Sequence, residues 1–551
     1  MRRTSAPLAL CGCLILAIGC APSAGDPGTG GSNGAAGTTG SAGTSGSAGT
    51  SGAAGTSGDA GTTGSAGTGS GTSGTTGSAG STATAGTTGS SGSGGSSGGS
   101  TAGRGGTTGT AGRGGTTGTA GTTGTAGTGA GGSSGNCTFT QSSMISPMIG
   151  TVGVVTWSTT LAGPTSAKID FGLTTSYGMT APVSTVAASN NRTLLLGMKA
   201  QRMYNYRITA MAGSMSCESP NYTIMTLTLP TGLMKPTLAP ATATGLSGGF
   251  LITAQYQGTP TTAFILDADG DYVWAFGGIG SQLTGARMSY DGKYMWINNA
   301  NVPSGTAMVR RVSMDGMTNE NYSSQFTGMN HQMAILPDET VAYYAYGANG
   351  CDDVKEFKPS GAAPGGTGKT VANSKTALKI NDSMCHLNNI QYSMADDSLV
   401  FSNLQSSQIA KVKRSDGSTT WIMNGSTATI TGATWTGGNH GIHLLDLNRL
   451  LIFNNNNNMA TQGSIVREYM ISGTSATQVW SYTASPAQPN MVMGDIQRMP
   501  NGNTVVAFST RGVIDEVNAQ GTLLQRLTSA GAGATFGYIE KRATLYGPPP
   551  R

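Results

Sequence analysis

The sequence is short of charge, of aromatic side chains and, above all, of histidine. Only 10% of its 551 residues are charged and 6% are aromatic, and there are four histidines. The formal net charge is +5 with no long basic run, which leaves no electrostatic footprint for nucleic acid as a partner. Beyond the N-terminus no apolar stretch is long enough to span a bilayer. What the chain has in excess is glycine, 88 residues, and it is not spread evenly, so whole-chain averages describe no part of it well.

The N-terminus reads as a signal for export. Arg2 and Arg3 precede an apolar run, Ala6 to Ile18, that is too short for a transmembrane helix and ends in Gly19-Cys20. Leu16-Ala17-Ile18-Gly19-Cys20 resembles a bacterial lipobox in which Cys20 carries the lipid, with Ala17 where leucine is usual. Residues 1–20 are therefore expected to be a signal peptide, and the mature protein a lipoprotein of the bacterial cell envelope or an extracellular protein. Residues 21–135 are almost entirely Gly, Ser, Thr and Ala, with no aromatic residue. Such a segment buries too little apolar area to offset its ordering entropy and is expected to be a disordered tether spanning about 60 Å.

Two folded regions are expected to follow. Residues 136–229 hold strand-like stretches, Val152–Trp157, Ala167–Phe171 and Tyr204–Ile208, with no histidine and no clustered carboxylates. They read as a small β-sandwich acting as a spacer or docking module, and the order W-S-T, A-x-I-x-F-G, Y-x-Y-R-I resembles a fibronectin type III-like module. Residues 230–244 read as a linker. Residues 245–551 repeat a strand, a polar turn ending in glycine and often a second strand. The turn glycines are Gly270, Gly316, Gly361, Gly417, Gly473 and Gly521, 45 to 56 residues apart. A repeat of that length made of strands and turns alone predicts a β-propeller, here of six blades. Trp274, Trp421 and Trp480 follow their glycines by four to seven residues, which predicts a shared packing position. The fold class is thus all-β.

Cysteine usage agrees with export. Cys137 and Cys217 fall in the sandwich region, Cys351 and Cys385 in the propeller region, an even number in each, which suggests disulfides. Cys385 adjoins His386, so a Cys351–Cys385 bridge would fix the backbone beside that histidine.

All four histidines, His331, His386, His440 and His443, lie in the repeat region, and each precedes an apolar strand. His331, His386 and His440 read as the same inner position of blades three, four and five, with Gly494-Asp495 in that place in blade six. Equivalent positions in a closed array converge on its axis, so the three are expected in one central pocket. His443 lies three residues beyond His440, on the opposite strand face, and reads as a packing or hydrogen-bonding residue. The amide run Asn454–Asn458 reads as a loop.

This pattern resembles the bacterial arylsulfate sulfotransferase family across roughly residues 245–546. The pieces that carry it are Asp382-x-x-x-His386-x-Asn388, Asn439-His440, Gly494-Asp495 through Asn503, Glu516-Val517 and Lys541 to Tyr546. The resemblance implies sulfuryl transfer between phenolic compounds with no nucleotide donor and no cofactor, through a sulfohistidine. It makes His440 the nucleophile, with His386, His331 and Asn388 in support. One departure matters. Where the family usually shows Ser-x-Arg, with the arginine holding sulfate, this chain has Ser402-Asn403-Leu404. Arg511, in the sixth repeat, is the candidate to replace that charge. Two other readings compete: a non-catalytic surface propeller that binds glycan or protein, and a metal-dependent hydrolase or lyase using the three imidazoles, near which Asp382 is the one carboxylate that stands out.

Overall fold

A computed structural model describes residues 137–549 apart from 259, 281, 300–306, 348–350, 360–367, 382–384, 458 and 532. The signal segment with Cys20, the tether, Gly361 and Asp382 lie outside the described residues. What is described is almost entirely β-structure.

The first part is a pair of antiparallel sheets. One joins Phe139–Ile145, Gly153–Thr159 and Asn191–Leu195; the other joins Met179–Val183, Ser166–Gly172, Met203–Ala212 and Met215–Glu218, with Tyr222–Met225 on Met203–Ala212. Burial alternates along these strands, as it must when one sheet face is solvated. The inward residues, among them Trp157, Phe171, Tyr206 and Ile208, share one core. The Cys137–Cys217 disulfide ties the start of this region to strand Met215–Glu218.

Six antiparallel sheets follow in chain order. The first holds Phe250–Gln257, Thr262–Leu266 and Tyr272–Gly277. The second to fifth run Leu283–Met288 to Asn319–Asn321, Met329–Ile335 to Lys369–Asn373, Leu387–Ser393 to Thr419–Met423, and Asn439–Asp446 to Ser475–Thr483, four strands each. The sixth runs from Asp495–Arg498 to Leu523–Thr528. Alternate residues of each strand face opposite neighbours. Leu450 and Ile452 pack toward the fourth sheet, whereas Leu451 and Phe453 pack toward the sixth. Apolar clusters of this kind lie between every adjacent pair, including sixth and first, where Leu527 and Ile514 meet Phe264 and Leu266. The sheets therefore close into a ring, a propeller. Trp274 and Trp421 are buried on outermost strands and Trp480 is partly buried on another, each packed in the cluster shared with the following sheet.

Both ends of the repeat region fasten the ring. The last strands, Thr535–Phe536 and Glu540–Arg542, pair with Phe250–Gln257 on the inner side of the first sheet. The stretch read as a linker contributes strand Thr237–Ala239, which covers the outer edge of the sixth sheet at Arg526–Thr528. A free strand edge is a liability, and this pairing removes one. The described turn glycines, Gly270, Gly316, Gly417, Gly473 and Gly521, all have φ between 59° and 81°, where a side chain is strained.

The sandwich is seated on the first two propeller sheets. Ile149, Val152 and Leu196 join the apolar cluster between them. Lys199 reaches Asp267, Asp269 and Asp271 of one hairpin at 3.2, 2.6 and 2.7 Å, and Arg192 pairs with Asp315 of the next. The Asp267–Asp271 group is the one carboxylate cluster among the described residues that could hold a metal, and it is engaged by Lys199.

Candidate functional site

The innermost strands of the third, fourth and fifth sheets begin at the same level of the ring. His331 lies in Met329–Ile335, His386 directly precedes Leu387–Ser393, and His440 is second in Asn439–Asp446. Each of these strands starts with a register shift against its neighbour, at Met329/Met333, Leu387/Asn389 and Asn439/Ile442. A bulge inserts a residue and re-aims its side chain, here toward the axis. At His331 the cost shows in the backbone, whose φ of 48° is left-handed.

The three imidazoles meet. His331 Nε2 lies 3.1 Å from His386 Nε2, and the His331 and His440 ring centres are 5.8 Å apart. All three are buried, with exposures of 3%, 6% and 1%. Burial holds them neutral. It pushes His386 down to about 4 and His440 to about 3, and together with the neighbouring rings it pushes His331 well below the usual value.

Hydrogen bonds set their tautomers. Tyr538 donates its hydroxyl to the carbonyl of Asn388 at 2.8 Å, so its oxygen faces His331 Nδ1, 3.5 Å away, as an acceptor. His331 then carries its proton on Nδ1, and its bare Nε2 accepts from His386 Nε2–H. On the other ring, His440 Nδ1 is 2.7 Å from Asn455 Oδ1. The Asn455 amide nitrogen donates to the carbonyls of Asn490 and Met493, which fixes the oxygen toward His440. His440 therefore carries its proton on Nδ1 and presents a bare Nε2.

Neighbouring amides lock the strand starts to one another. Asn298 donates to the His331 carbonyl at 2.7 Å, Asp352 accepts from the Leu387 amide at 2.7 Å, and Asn403 accepts from the His386 amide at 2.7 Å. Asn388 donates one amide hydrogen to the Asn439 carbonyl at 2.8 Å, leaving its second. Several buried polar atoms nearby have no hydrogen-bond partner: Asn388 Oδ1 and both amide atoms of Asn389 and of Asn439. The Cys351–Cys385 disulfide clamps the backbone beside His386 and beside Asp352, a carboxyl that burial pushes up to about 6.

Neither Arg511 nor His443 bonds to the three rings, and Leu404 meets this site through its backbone amide, which donates to the His386 carbonyl at 2.8 Å. Arg511 is exposed on a turn, Ser509–Arg511, and none of the contacts of the three imidazoles includes it. Its neighbour Thr510 bonds Asn490 Oδ1 at 2.8 Å, so its backbone joins the support of Asn455. Leu404 packs where a side chain on Gly438 would stand, two residues before His440. His443 accepts from the Arg498 amide at 2.8 Å.

Sequence reading missed three residues, Tyr538, Asn455 and Arg467. Asn455 was part of an amide run read as a loop, and only the contact with His440 reveals it. Arg467 is half-buried and donates to Asn454 Oδ1 at 2.7 Å, while Asn454 donates to the carbonyls of Thr436, Gly437 and Gly438. Burial lowers the Arg467 pKa, and the contact with Asn454 places it beside the segment that leads into His440. No composition signal singles it out.

Residues 360–530 match the family model of the arylsulfotransferases. The matched segment contains His386, Asn388, His440, Asn455, Arg467 and Arg511. It supports an arylsulfotransferase-like function in general terms. Nothing among curated proteins matches the chain. Similar solved structures include TolB from Acinetobacter baumannii, 14% identical over 62% of this chain and 81% of that one, with a TM-score of 0.39. Others are the periplasmic gluconolactonase PpgL of Pseudomonas aeruginosa, at 13%, 61%, 94% and 0.36, and the β-propeller domain of Cps50 (Swd1) from Myceliophteria thermophila, at 10%, 54%, 91% and 0.35. None of the three bears on what this chain does. The two disulfides fit an exported protein, and among the described residues no helix is long and apolar enough to cross a membrane.

Proposed function

We propose that this chain transfers a sulfuryl group between phenolic compounds, with His440 as the covalent carrier and no nucleotide donor. The observation that carries the reading is the bare His440 Nε2 beside a paired, neutral His331–His386 unit. Imidazole can split a group transfer into two easier steps. In the first, the Nε2 lone pair attacks sulfur of an aryl sulfate. The N–S bond forms, the S–O bond to the ring breaks, and its electron pair leaves with the aryloxide, which for nitrophenyl sulfate departs as the anion. In the second, an acceptor phenol gives its proton to the neutral His331–His386 pair as its oxygen attacks sulfur and the N–S bond breaks, and the pair passes that proton on to the departed aryloxide. Proton transfer of this kind fits groups that are neutral at working pH.

The transition state spreads negative charge over the sulfuryl oxygens. The second Asn388 hydrogen and the amide groups of Asn389 and Asn439 are the donors available to meet it. Arg511 is one source of positive charge in place of the residue that is Leu404 here, and Arg467 is the other. Export on a lipid at Cys20, with the tether and sandwich holding the propeller off a membrane, completes the proposal.

Mixing purified protein with nitrophenyl sulfate and a second phenol tests it. The expected result is sulfated acceptor and released nitrophenol in equal amounts. Absence of transfer with every phenolic pair, together with transfer gained on Leu404→Arg, would favour the surface-binding reading that Leu404 supports. Activity dependent on an added metal would favour the hydrolase reading.

A further inference from the structure

Asn455 is 3% exposed, and both ends of its amide are committed. Its nitrogen donates to the Asn490 carbonyl at 2.8 Å and the Met493 carbonyl at 3.1 Å, and its oxygen faces His440 Nδ1 at 2.7 Å. The seat is braced in turn. The Asn490 amide nitrogen donates to the Val492 and Met493 carbonyls at 2.9 Å, and its oxygen accepts from the Thr510 amide and hydroxyl at 2.8 Å. Ser464 bridges the Asn455 and Asn490 carbonyls. Two sheets thus hold one amide against one imidazole nitrogen.

A histidine asked to act as a base is commonly oriented by a carboxylate, which stabilises the imidazolium. Here the partner is neutral. That distinction matters after the first half-reaction proposed above, when the His440 ring bears sulfuryl on Nε2 and hydrogen on Nδ1, and so carries a formal positive charge. A carboxylate at this distance would neutralise the ring or take the Nδ1 hydrogen, leaving a poorer leaving group for the second half-reaction. The N–S bond would strengthen. A neutral acceptor fixes the tautomer without that effect.

We propose that Asn455 is a positioning residue with two roles: it presents His440 Nε2 as the nucleophile, and by being uncharged it keeps the sulfuryl group on His440 transferable. The inference rests on the sulfohistidine reading, and the experiment separates the two. Full-length protein is mixed rapidly with nitrophenyl sulfate, the burst of nitrophenol is recorded, and phenol is then added while intact mass follows the sulfuryl adduct. Wild type gives a burst and an adduct that phenol removes quickly. Asn455→Asp keeps the burst, and its adduct is removed about tenfold more slowly, the factor that goes with one charge-assisted hydrogen bond. Asn455→Ala slows the burst instead, because the tautomer is no longer fixed, and leaves adduct removal unhindered. Equal slowing of both halves in both variants, or adduct removal unchanged in Asn455→Asp, overturns the inference while leaving sulfohistidine chemistry standing. A wild type without any burst ends that chemistry and this inference with it. Nitrogen NMR of the folded wild type provides a check that no variant can spoil: His440 is protonated at Nδ1, and a proton on Nε2 overturns the proposal.

Discussion

The two ends of the central channel are made by the same inner strands, yet they treat polar groups in opposite ways. Where the strands begin, imidazoles and amides are neutral and buried, and several amide atoms have no partner within the protein. Where they end, a cavity of about 770 Å³ opens, lined by residues such as Met333, Ile390, His443, Arg449 and Arg498. There the charges are paired. Arg449 and Arg498 share Glu468, and Arg542 meets Glu540 at 2.8 Å, while Arg287 pairs at 3.1 Å with Asp495, the first residue of its strand. His443 belongs to this second end, held by the Arg498 backbone, and burial pushes it to about 4 with help from Arg498 and Arg287. Charges matched to one another make a stable wall. Polar atoms left unmatched in a buried place are costly, and a site that binds a polar substrate accounts for keeping them.

The contrast can be broken by mutation. His440→Ala should abolish transfer from nitrophenyl sulfate, measured as sulfated product. His386→Ala should slow it about 10²–10⁴-fold, the usual weight of proton transfer, read from kcat.

Acid should weaken the whole fold. Below pH 6.5 the unfolded chain protonates its four histidines, while in the folded state His386 and His443 stay neutral to about 4 and His440 to about 3. The unfolded state then holds more protons, so stability falls as pH drops. Asp352 and Asp495, which burial pushes up to about 6, oppose this between about 6 and 4, because there the folded state is the one that takes up protons. Near pH 5 the histidines of the unfolded chain take up more protons than these two carboxyls do in the folded state, so the net effect is a stability that falls as pH drops, by about 1.4 kcal/mol per pH unit for each proton of difference. Denaturant midpoints at pH 7, 6 and 5 check this, and a flat profile would mean that the histidines are not buried neutral.

Smaller effects sharpen the comparison. Arg467→Ala and Arg511→Ala should each raise KM for the donor, by about tenfold for the one that faces sulfate, since a guanidinium offers it a fork of donors. Comparison of the two single replacements identifies which one that is. Arg449→Ala, at the paired end, should change kcat by less than about twofold and show itself in a lowered Tm instead.

The propeller was legible because its signal is periodic. Turn glycines recur at a near-constant interval, and alternation along each strand tells which neighbour a residue packs against. His331, His386 and His440 were legible for the same reason: equivalent places in a ring share an axis. Asn455 and Tyr538 were not: Asn455 sits one residue past the strand that pairs with the His440 strand, where the amide run hides which asparagine meets the ring, and Tyr538 reaches His331 from 207 residues away. The strand at Thr237–Ala239 was hidden by its length and by proline on both sides, which read as a linker. Arg511 follows from its place in the sixth repeat, and a repeat position says where a backbone lies and little about where a long side chain points.

The most direct test is to locate the covalent adduct. The protein is incubated with an aryl sulfate and no acceptor, quenched, digested, and its peptides searched for an added sulfuryl group. That group is expected on His440, lost when a phenol is added before quenching and absent from His440→Ala. An adduct on His331, His386 or another residue, or turnover with no adduct at all, would contradict it.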